Sequence, residues 1–260
     1  MNPTVSLVMI TRNAEPTLAR CLASVFDRPA PLCQDGVIVR GGRSTDGTER
    51  ELADAVARYP VRVLDLPQEV AKDAVDPETG ALVDFSAARN FAHREAQGIW
   101  HLWLDADDVV PSPERVLDVL QREHAAVGAE APATPDDDAT KARSLADVLG
   151  SLRPEVSSVW VPYHYLIEPD TDRVLIAQRR ERILRWRDGF QWCDPIHEFV
   201  APVGANGFST RSTQIFSRFW IEHRPIRSER ERAERNFRVL LRMAPLAPIR
   251  WRVAYYLADH

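Results

Sequence analysis

The residues best suited to chemistry stand at Asp105-Ala106-Asp107-Asp108. They follow Ile99-Trp100-His101-Leu102-Trp103-Leu104, an apolar run that reads as a buried strand. A strand ending there would deliver its carboxylates to the C-terminal edge of a sheet, where open α/β folds bind ligands. Carboxylates at i and i+2 can face one ion if the chain turns. Magnesium or manganese takes oxygen ligands, typically one or two carboxylates plus substrate phosphates. The bland alternative is a solvated acidic turn that caps a helix starting near Pro111.

The elements that would position this turn are legible around it. Val5 to Ile10, Val37 to Val39 and Val61 to Leu64 read as strands, with helices expected over Pro16 to Phe26, from Thr48 through Tyr59, and over Phe85 to Ala96. This βαβα alternation predicts a mostly parallel sheet with helices on both faces. Residues 130–140 are rich in Pro, Ala and Asp and aperiodic, which predicts a flexible surface insertion within 125–145. Beyond it, Val156 to Tyr165, Val174 to Trp186 and Ile215 to Ile221 predict strands of a less regular, more antiparallel second half. Ser228 to Met243 predicts a helix, and a further one begins near Pro248 and is still running at His260. That last pattern would suit a chain cut inside a helical repeat region.

The bulk numbers bound the class. The chain has 260 residues, 45% hydrophobic and 27% charged, an ordinary globular composition with no apolar run of the roughly 20 residues a membrane span needs. The start has no basic region or cleavage site of a signal peptide. Cys21, Cys33 and Cys193 form neither a zinc pattern nor a disulfide framework, so a cytoplasmic protein with structural thiols is expected. The net charge of −5 hides an asymmetry: residues 1–172 hold 16 Lys+Arg against 29 acids, whereas residues 173–252 hold 17 Arg against 8. A basic third on an acidic chain suggests a polyanionic partner, whether diphosphate, nucleic acid or a membrane surface, or simply a solvated face.

Four motifs in order resemble glycosyltransferase family 2, whose members have the GT-A fold: Val5 to Glu15, Ser44-Thr45-Asp46-Gly47-Thr48, Phe85 to Ala92, and Leu102 to Asp108. The resemblance is clear over residues 4–120, weaker to about 240, and looks nearest to a bacterial and phage branch with a His-Glu pair in the second half. It implies an α/β fold with a Rossmann-like, mostly parallel central sheet, a mixed or antiparallel second half and C-terminal helices. It divides the chain into a catalytic domain over 1–226, with a nucleotide-sugar-binding half over 1–120 and an acceptor half over 150–226, and a helical segment over 227–260.

By that resemblance Asp105 and Asp107 hold Mn2+ or Mg2+ on the donor diphosphate, with Ala106 beside them and a late histidine, His223, completing the metal site. Thr11, Arg12, Asn13 and Glu15 cradle the donor nucleoside, and Arg89 and Asn90 lie near the nucleotide and diphosphate. Asn13 and Glu15 would equally suit a helix cap and first turn. One departure stands out: where the family places a base-reading Asp, this chain has Gly41, within Arg40-Gly41-Gly42-Arg43. The missing carboxylate puts a uridine donor in doubt; Arg40 and Gly41 would instead allow close approach of phosphate or another base.

An inverting transfer needs a carboxylate to take the acceptor's proton. Asp194-Pro195-Ile196-His197-Glu198 stands where the family keeps its base, 92 residues separating His197 from Asp105. Glu198 is the expected base, Asp194 the runner-up, and His197 would orient the base or bind phosphate. Trp186, Phe190 and Trp192 flank them and suit either stacking on a sugar or base, or core packing. The implied activity is transfer of a sugar from a nucleotide-diphosphate donor to a glycan, lipid-linked, peptide or modified DNA-base acceptor, with nucleic acid or a peripheral membrane surface as partners of the arginine-rich third. Competing classes are a nucleotidyltransferase, which would want a glycine- and basic-rich loop where Thr11-Arg12-Asn13-Ala14-Glu15 stands, and a non-catalytic binding module, which Gly41 favours.

Overall fold

A computed structural model describes residues 4–112, 144–203, 212–216 and 219–226, together with 234, 236, 237 and 239–241. The first half is a regular parallel unit. Strands β1 (Val5–Thr11), β2 (Asp35–Arg40), β3 (Val61–Asp65) and β4 (Trp100–Asp105) lie in the order β3-β2-β1-β4, all parallel. β1 is central because its side chains serve both faces: Leu7 and Met9 enter one core with Leu18, Leu22 and Leu52, whereas Val8 and Ile10 enter the other with Ala88 and Ala92. This period-two division places α1 (Leu18–Phe26) and α2 (Thr48–Arg58) on one face, and α3 (Gln68–Ala74) and α4 (Phe85–Glu95) on the other. α1 starts two residues later than expected, and Thr17 precedes it without a side-chain cap. Asp84 does cap α4, accepting from the Ala87 N–H at 2.9 Å, which fixes where its buried face, including Arg89, begins.

Past β4 the sheet changes character. β5 (Asp108–Val109) follows the acidic turn at once. α5 (Leu145–Gly150) opens with a capping box between Ser144 and Asp147, so the expected flexible insertion ends in an ordered helix start. Its residues up to 143 lie outside the described part. β6 (Val156–Ile167) and β7 (Val174–Leu184) form a long antiparallel hairpin with three register shifts, and β7 pairs antiparallel with β4. β8 (Phe190–Cys193) and β9 (Phe199–Pro202) make a separate antiparallel ribbon.

The strand expected over Ile215 to Ile221 is instead two: β10 (Ser212–Ile215) and β11 (Ile221–His223), both parallel to β6. β11 also pairs antiparallel with β5, setting His223 opposite Asp108. The fold is thus the expected mixed α/β class, with a mostly parallel first half and a mixed second half. Residues 234, 236, 237 and 239–241 are helical where a helix was expected over Ser228 to Met243; the helix expected from Pro248 lies outside the described residues. Cys21 and Cys33 are buried free thiols, with burial the main cause that pushes both thiols up. Among the described residues no helix is long and apolar enough to cross a membrane.

Candidate functional site

The C-terminal ends of β1 and β4, the hairpin β6–β7 and the start of β9 enclose a cavity of about 910 Å3. Open parallel sheets bind ligands at this edge, where the strand order turns back on itself. Thr11, Arg12, Asn13, Gly41, Arg89, Asp105, Ala106, Asp107, His197, Glu198 and His223 all line it, so most of the residues singled out in the sequence converge. Four do not line it. Arg40 turns outward to pair with Glu49 at 2.9 Å and Asp65 at 3.2 Å. Glu15 accepts from the Gly47 N–H and Arg50, tying one loop to the start of α2. Asn90 exchanges hydrogen bonds with the Trp192 backbone, fastening α4 to β8. Asp194 sits at a positive φ of 66° in the turn after β8. The side chains of Arg40, Glu15 and Asn90 thus each have a backbone or ionic partner outside the cavity.

The loop after β1 is fixed from within. Asn13 adopts a positive φ of 50°, which Asn tolerates, and its Oδ1 accepts from the Thr45 N–H at 2.7 Å. Asp46 accepts from Thr48 N and Oγ1 at the start of α2, a turn role rather than a base-reading one. Gly41 explains itself: a Cβ there would lie 3.3 Å from Leu82 Cδ2, and a side chain would have to displace Leu82 from the cavity wall. Gly42 has φ +94°, and a Cβ there would meet Gly80 O at 2.2 Å. Leu82, from the loop before α4, thus lies against Gly41 on the cavity wall. Thr11, 5% exposed, keeps a buried Oγ1 with no protein partner on this wall.

The floor of the cavity is built of arginine on aromatic rings. The Arg182 guanidinium lies 3.8 Å from the Trp103 ring centroid and 4.1 Å from that of Tyr163. The Arg89 guanidinium lies 4.8 Å from Trp103 and 5.0 Å from Trp192. Both are almost wholly buried, and buried guanidinium demands a charged partner. Arg182 Nη1 reaches Asp108 Oδ2 at 2.9 Å, whereas Arg89 bridges Asp105 Oδ1 at 2.6 Å and Glu198 Oε1 at 2.9 Å. Arg89 thereby joins the acidic turn to the candidate base across 93 residues of chain. Sequence reading passed over Asp108, Arg182 and Tyr163. An Asp in the DADD run and a charged residue in a strand were the available signals, but only folding brings them together.

The three aspartates of the turn differ in surroundings. Burial works to raise the Asp105 carboxyl, but Arg89, Arg182 and His223 outweigh it and hold it below the usual carboxylate range. Asp107 goes the other way: burial raises it, and Asp108 and Asp105 add to that against the pull of His223. Burial would lower His223, but hydrogen bonding to Asp108 and the charges of Asp107, Asp108 and Asp105 raise it above an ordinary imidazole. Ligand atoms of Asp107, Asp108 and His223 lie within 4.8 Å of one another, a set that fits a divalent cation of the manganese or magnesium type. Burial and the neighbouring carboxylates raise Asp107, and such a cation would offset both.

The opposite wall is less tied down. Tyr165 stacks on His223 at 5.4 Å and 3° between planes, and Gln178, Arg179, Ile176, Phe199 and Ile226 complete it. Among the arginines of the basic third, Arg173 pairs with Glu168, Arg185 with Asp188, and Arg224 with Asp172 and Glu222. These pairs offset part of that positive charge among the described residues.

A family model described as glycosyl transferase family 2 matches residues 6–74. No curated protein matches the chain. Among solved structures, S. aureus TarS 1-349 in complex with UDP-GlcNAc is 12% identical, with 98% of this chain aligned to 71% of that one and a TM-score of 0.47. The mannosyltransferase PcManGT from Pyrobaculum calidifontis, in complex with GDP-Man and Mn2+, is 14% identical, covers 93% of this chain and 64% of its own, and has a TM-score of 0.47. TarS 1-349 in complex with UDP aligns over 47% of this chain at 21% identity and a TM-score of 0.34; the match spans about a third of that chain, 33%.

Proposed function

We propose that the chain is a metal-dependent glycosyltransferase of family 2 that transfers a sugar from a nucleotide-diphosphate donor, with inversion, to an acceptor hydroxyl. The observation that carries this reading is the convergence of the β1 loop, the Asp105–Asp108 turn, His223 and Glu198 on one cavity at the sheet's C-terminal edge. The family match over residues 6–74 falls on β1 to α3, the part that would hold the nucleotide.

The donor set fits Mn2+ or Mg2+, held by Asp107 and His223 with Asp105 beside them. Bound there, the cation would neutralise charge developing on the leaving diphosphate. Thr11, Arg12 and Asn13 would bind the nucleoside, the orphan Thr11 hydroxyl supplying a hydrogen bond that the protein leaves unmade. Among the described residues, four carboxylates line the cavity. Asp105 and Asp107 belong to the turn, and Glu181 lies beside Arg180. Glu198 remains for the acceptor's proton: Oε1 accepts from Arg89, which orients the group and leaves Oε2 to act as base. The β6–β7 wall, with Tyr165, Gln178 and Arg179, would bind the acceptor.

The test is turnover of a panel of UDP-, GDP-, ADP- and CDP-sugars by the full chain with Mn2+, read by mass spectrometry. Metal-dependent release or transfer of one sugar, abolished by Asp107→Ala, is expected. No turnover and no nucleotide binding across the panel would overturn the reading.

A further inference from the structure

The hairpin wall of the cavity ends in an open strand edge. β7 pairs with β4 only at Leu184 and Ile183, and from there back to Val174 it pairs with β6 alone. Between Ala177 and Glu181 the register with β6 is unbroken, so the backbone groups of successive residues alternate between β6 and the outer edge. Two bonds fix which residues face outward. Trp160, opposite Glu181, turns its carbonyl away from β7 to accept from the Phe216 N–H at 2.9 Å. The Glu181 carbonyl itself accepts from Trp103 Nε1 at 2.6 Å, on the β4 side. Arg179 and Ala177, two and four residues earlier, share that direction and aim N–H and C=O outward. Pro162, opposite Arg179, agrees, because it has no N–H to give to β7. Ala177 and Arg179 are exposed, and among the described residues no hydrogen bond reaches their outward groups.

This edge opens on the reaction cavity. Gln178, Arg179, Arg180 and Glu181 all line it. Side chains alternate across a strand, so a cavity lined by four consecutive residues lies along the edge and not against one face. The edge is also basic: residues 173–180 include Arg173, Arg179 and Arg180 and no acid. Arg180 reaches Glu181 at 3.6 Å, and Arg179 forms no ion pair among the described residues.

We propose that the acceptor is an extended acidic polypeptide, which adds to the outer edge of β7 as a further strand and carries a Ser or Thr hydroxyl into the cavity. This names the acceptor class of the reaction proposed above and rests on that reading. Main-chain hydrogen bonds to Ala177 and Arg179 would hold the peptide, and the arginines would select acidic side chains beside the accepting residue. A lipid surface fits less well, since hydrocarbon offers nothing to outward N–H and C=O groups. In the transfer, the peptide hydroxyl oxygen bonds to the anomeric carbon of the donor sugar. The bond from that carbon to the diphosphate breaks, the diphosphate keeps the electron pair, and the hydroxyl proton passes to Glu198.

The test uses the immobilised full chain and a pool of peptides of about ten residues, enough for one strand. Each has a central Thr, with Asp, Glu, Val, Ser and Ala at random elsewhere. Companion pools carry Lys in place of Asp and Glu, or N-methyl groups on either the odd or the even backbone nitrogens. The acidic pool should be retained and the Lys pool should not. One N-methylated pool should bind at least about ten-fold more weakly and the other like its parent, because only one edge of the added strand faces β7. Arg179→Glu should shift the preference towards the Lys pool. No retention of the acidic pool, equal behaviour of the two N-methylated pools, or an unchanged preference in Arg179→Glu would overturn the proposal. Transfer is then read by mass spectrometry with Mn2+ and the nucleotide-sugar panel, and sugar on the central Thr is expected. Donor hydrolysis without transfer to a retained pool, or transfer to a glycan or vesicle lipid instead, would overturn the acceptor class alone. If no donor were turned over, the donor reading would fall, and the N-methylated pools would still decide the edge.

Discussion

The two walls of the cavity are built differently. The wall from β1, β2 and β4 stands on an unbroken parallel register, and its loops are fastened by short hydrogen bonds such as Asn13 to Thr45 and Asp46 to Thr48. The wall from β6 and β7 comes from a hairpin with three register shifts, and it turns Tyr165, Ile176 and Arg179 to solvent. A rigid wall suits chemistry that must be the same in every turnover, because preorganised groups need no rearrangement as charge develops. A looser, mixed wall suits recognition of the variable partner. The two meet at the acidic turn, where β5 of the first region pairs with β11 of the second and sets Asp108 against His223.

The largest effect should come from the rigid side. Asp107→Ala is expected to lower metal-dependent donor turnover by roughly a thousand-fold or more, consistent with several kcal/mol of charge stabilisation. Arg179→Ala on the other wall should leave donor hydrolysis intact and lower transfer alone. Equal loss of hydrolysis and transfer in Arg179→Ala would erase the distinction between the walls. Next, Arg182→Met would strand a wholly buried Asp108 carboxylate at the seam. Removing one partner of a buried pair typically costs about 3–5 kcal/mol, which urea unfolding would detect; a loss under about 1 kcal/mol would show that the seam bears little load.

A smaller effect concerns acid. His93 on α4 and His101 on β4 face each other with Nδ1 atoms 2.9 Å apart, both buried. His101 Nε2 lies 3.2 Å from Gly98 O, so His101 donates there and His93 donates to the His101 Nδ1 lone pair. Burial, then each other's charge or that of Arg89, lowers His93, and burial pulls His101 down to about 4. Folded-state pKa values below the unfolded value mean that the unfolded chain binds more protons between them, so stability rises with pH in that window. Stability should therefore fall as pH drops from about 6.5 to about 4, and His101→Gln should flatten that slope in thermal melts taken across the window. At the bottom of the scale, Arg40→Ala breaks only exposed pairs and should cost less than about 1 kcal/mol, with nucleotide affinity unchanged.

The same division decides what could be read from sequence. β1, β2, β4 and their helices were legible because apolar runs and 3.6-residue stripes are local signals that burial on both faces imposes. Thr11, Asn13, Asp105 and Asp107 follow from strand ends, which the fold carries to one edge. Arg40 and Asn90 lie outside the cavity lining because sequence gives the element but not which way a long polar side chain turns. Arg182 and Tyr163 went unnoticed because their meaning is wholly tertiary: β7 must pass beside β4 and pair with β6 before either meets Asp108. The break between β10 and β11 was hidden for the same reason. Ile215 and Ile221 both look like strand residues, and only pairing with β6 at two separate places divides them.

The central claim is that Asp107 and His223 hold a divalent cation on a nucleoside diphosphate at the junction of the two walls. Its most direct test is Mn2+ binding by the full chain with and without UDP, GDP, ADP or CDP, for wild type, Asp107→Ala and His223→Ala. The account predicts that one nucleoside diphosphate tightens Mn2+ binding in wild type at least about ten-fold, and that neither variant shows the coupling. Equal Mn2+ binding in all three proteins, indifferent to every nucleotide, would contradict it.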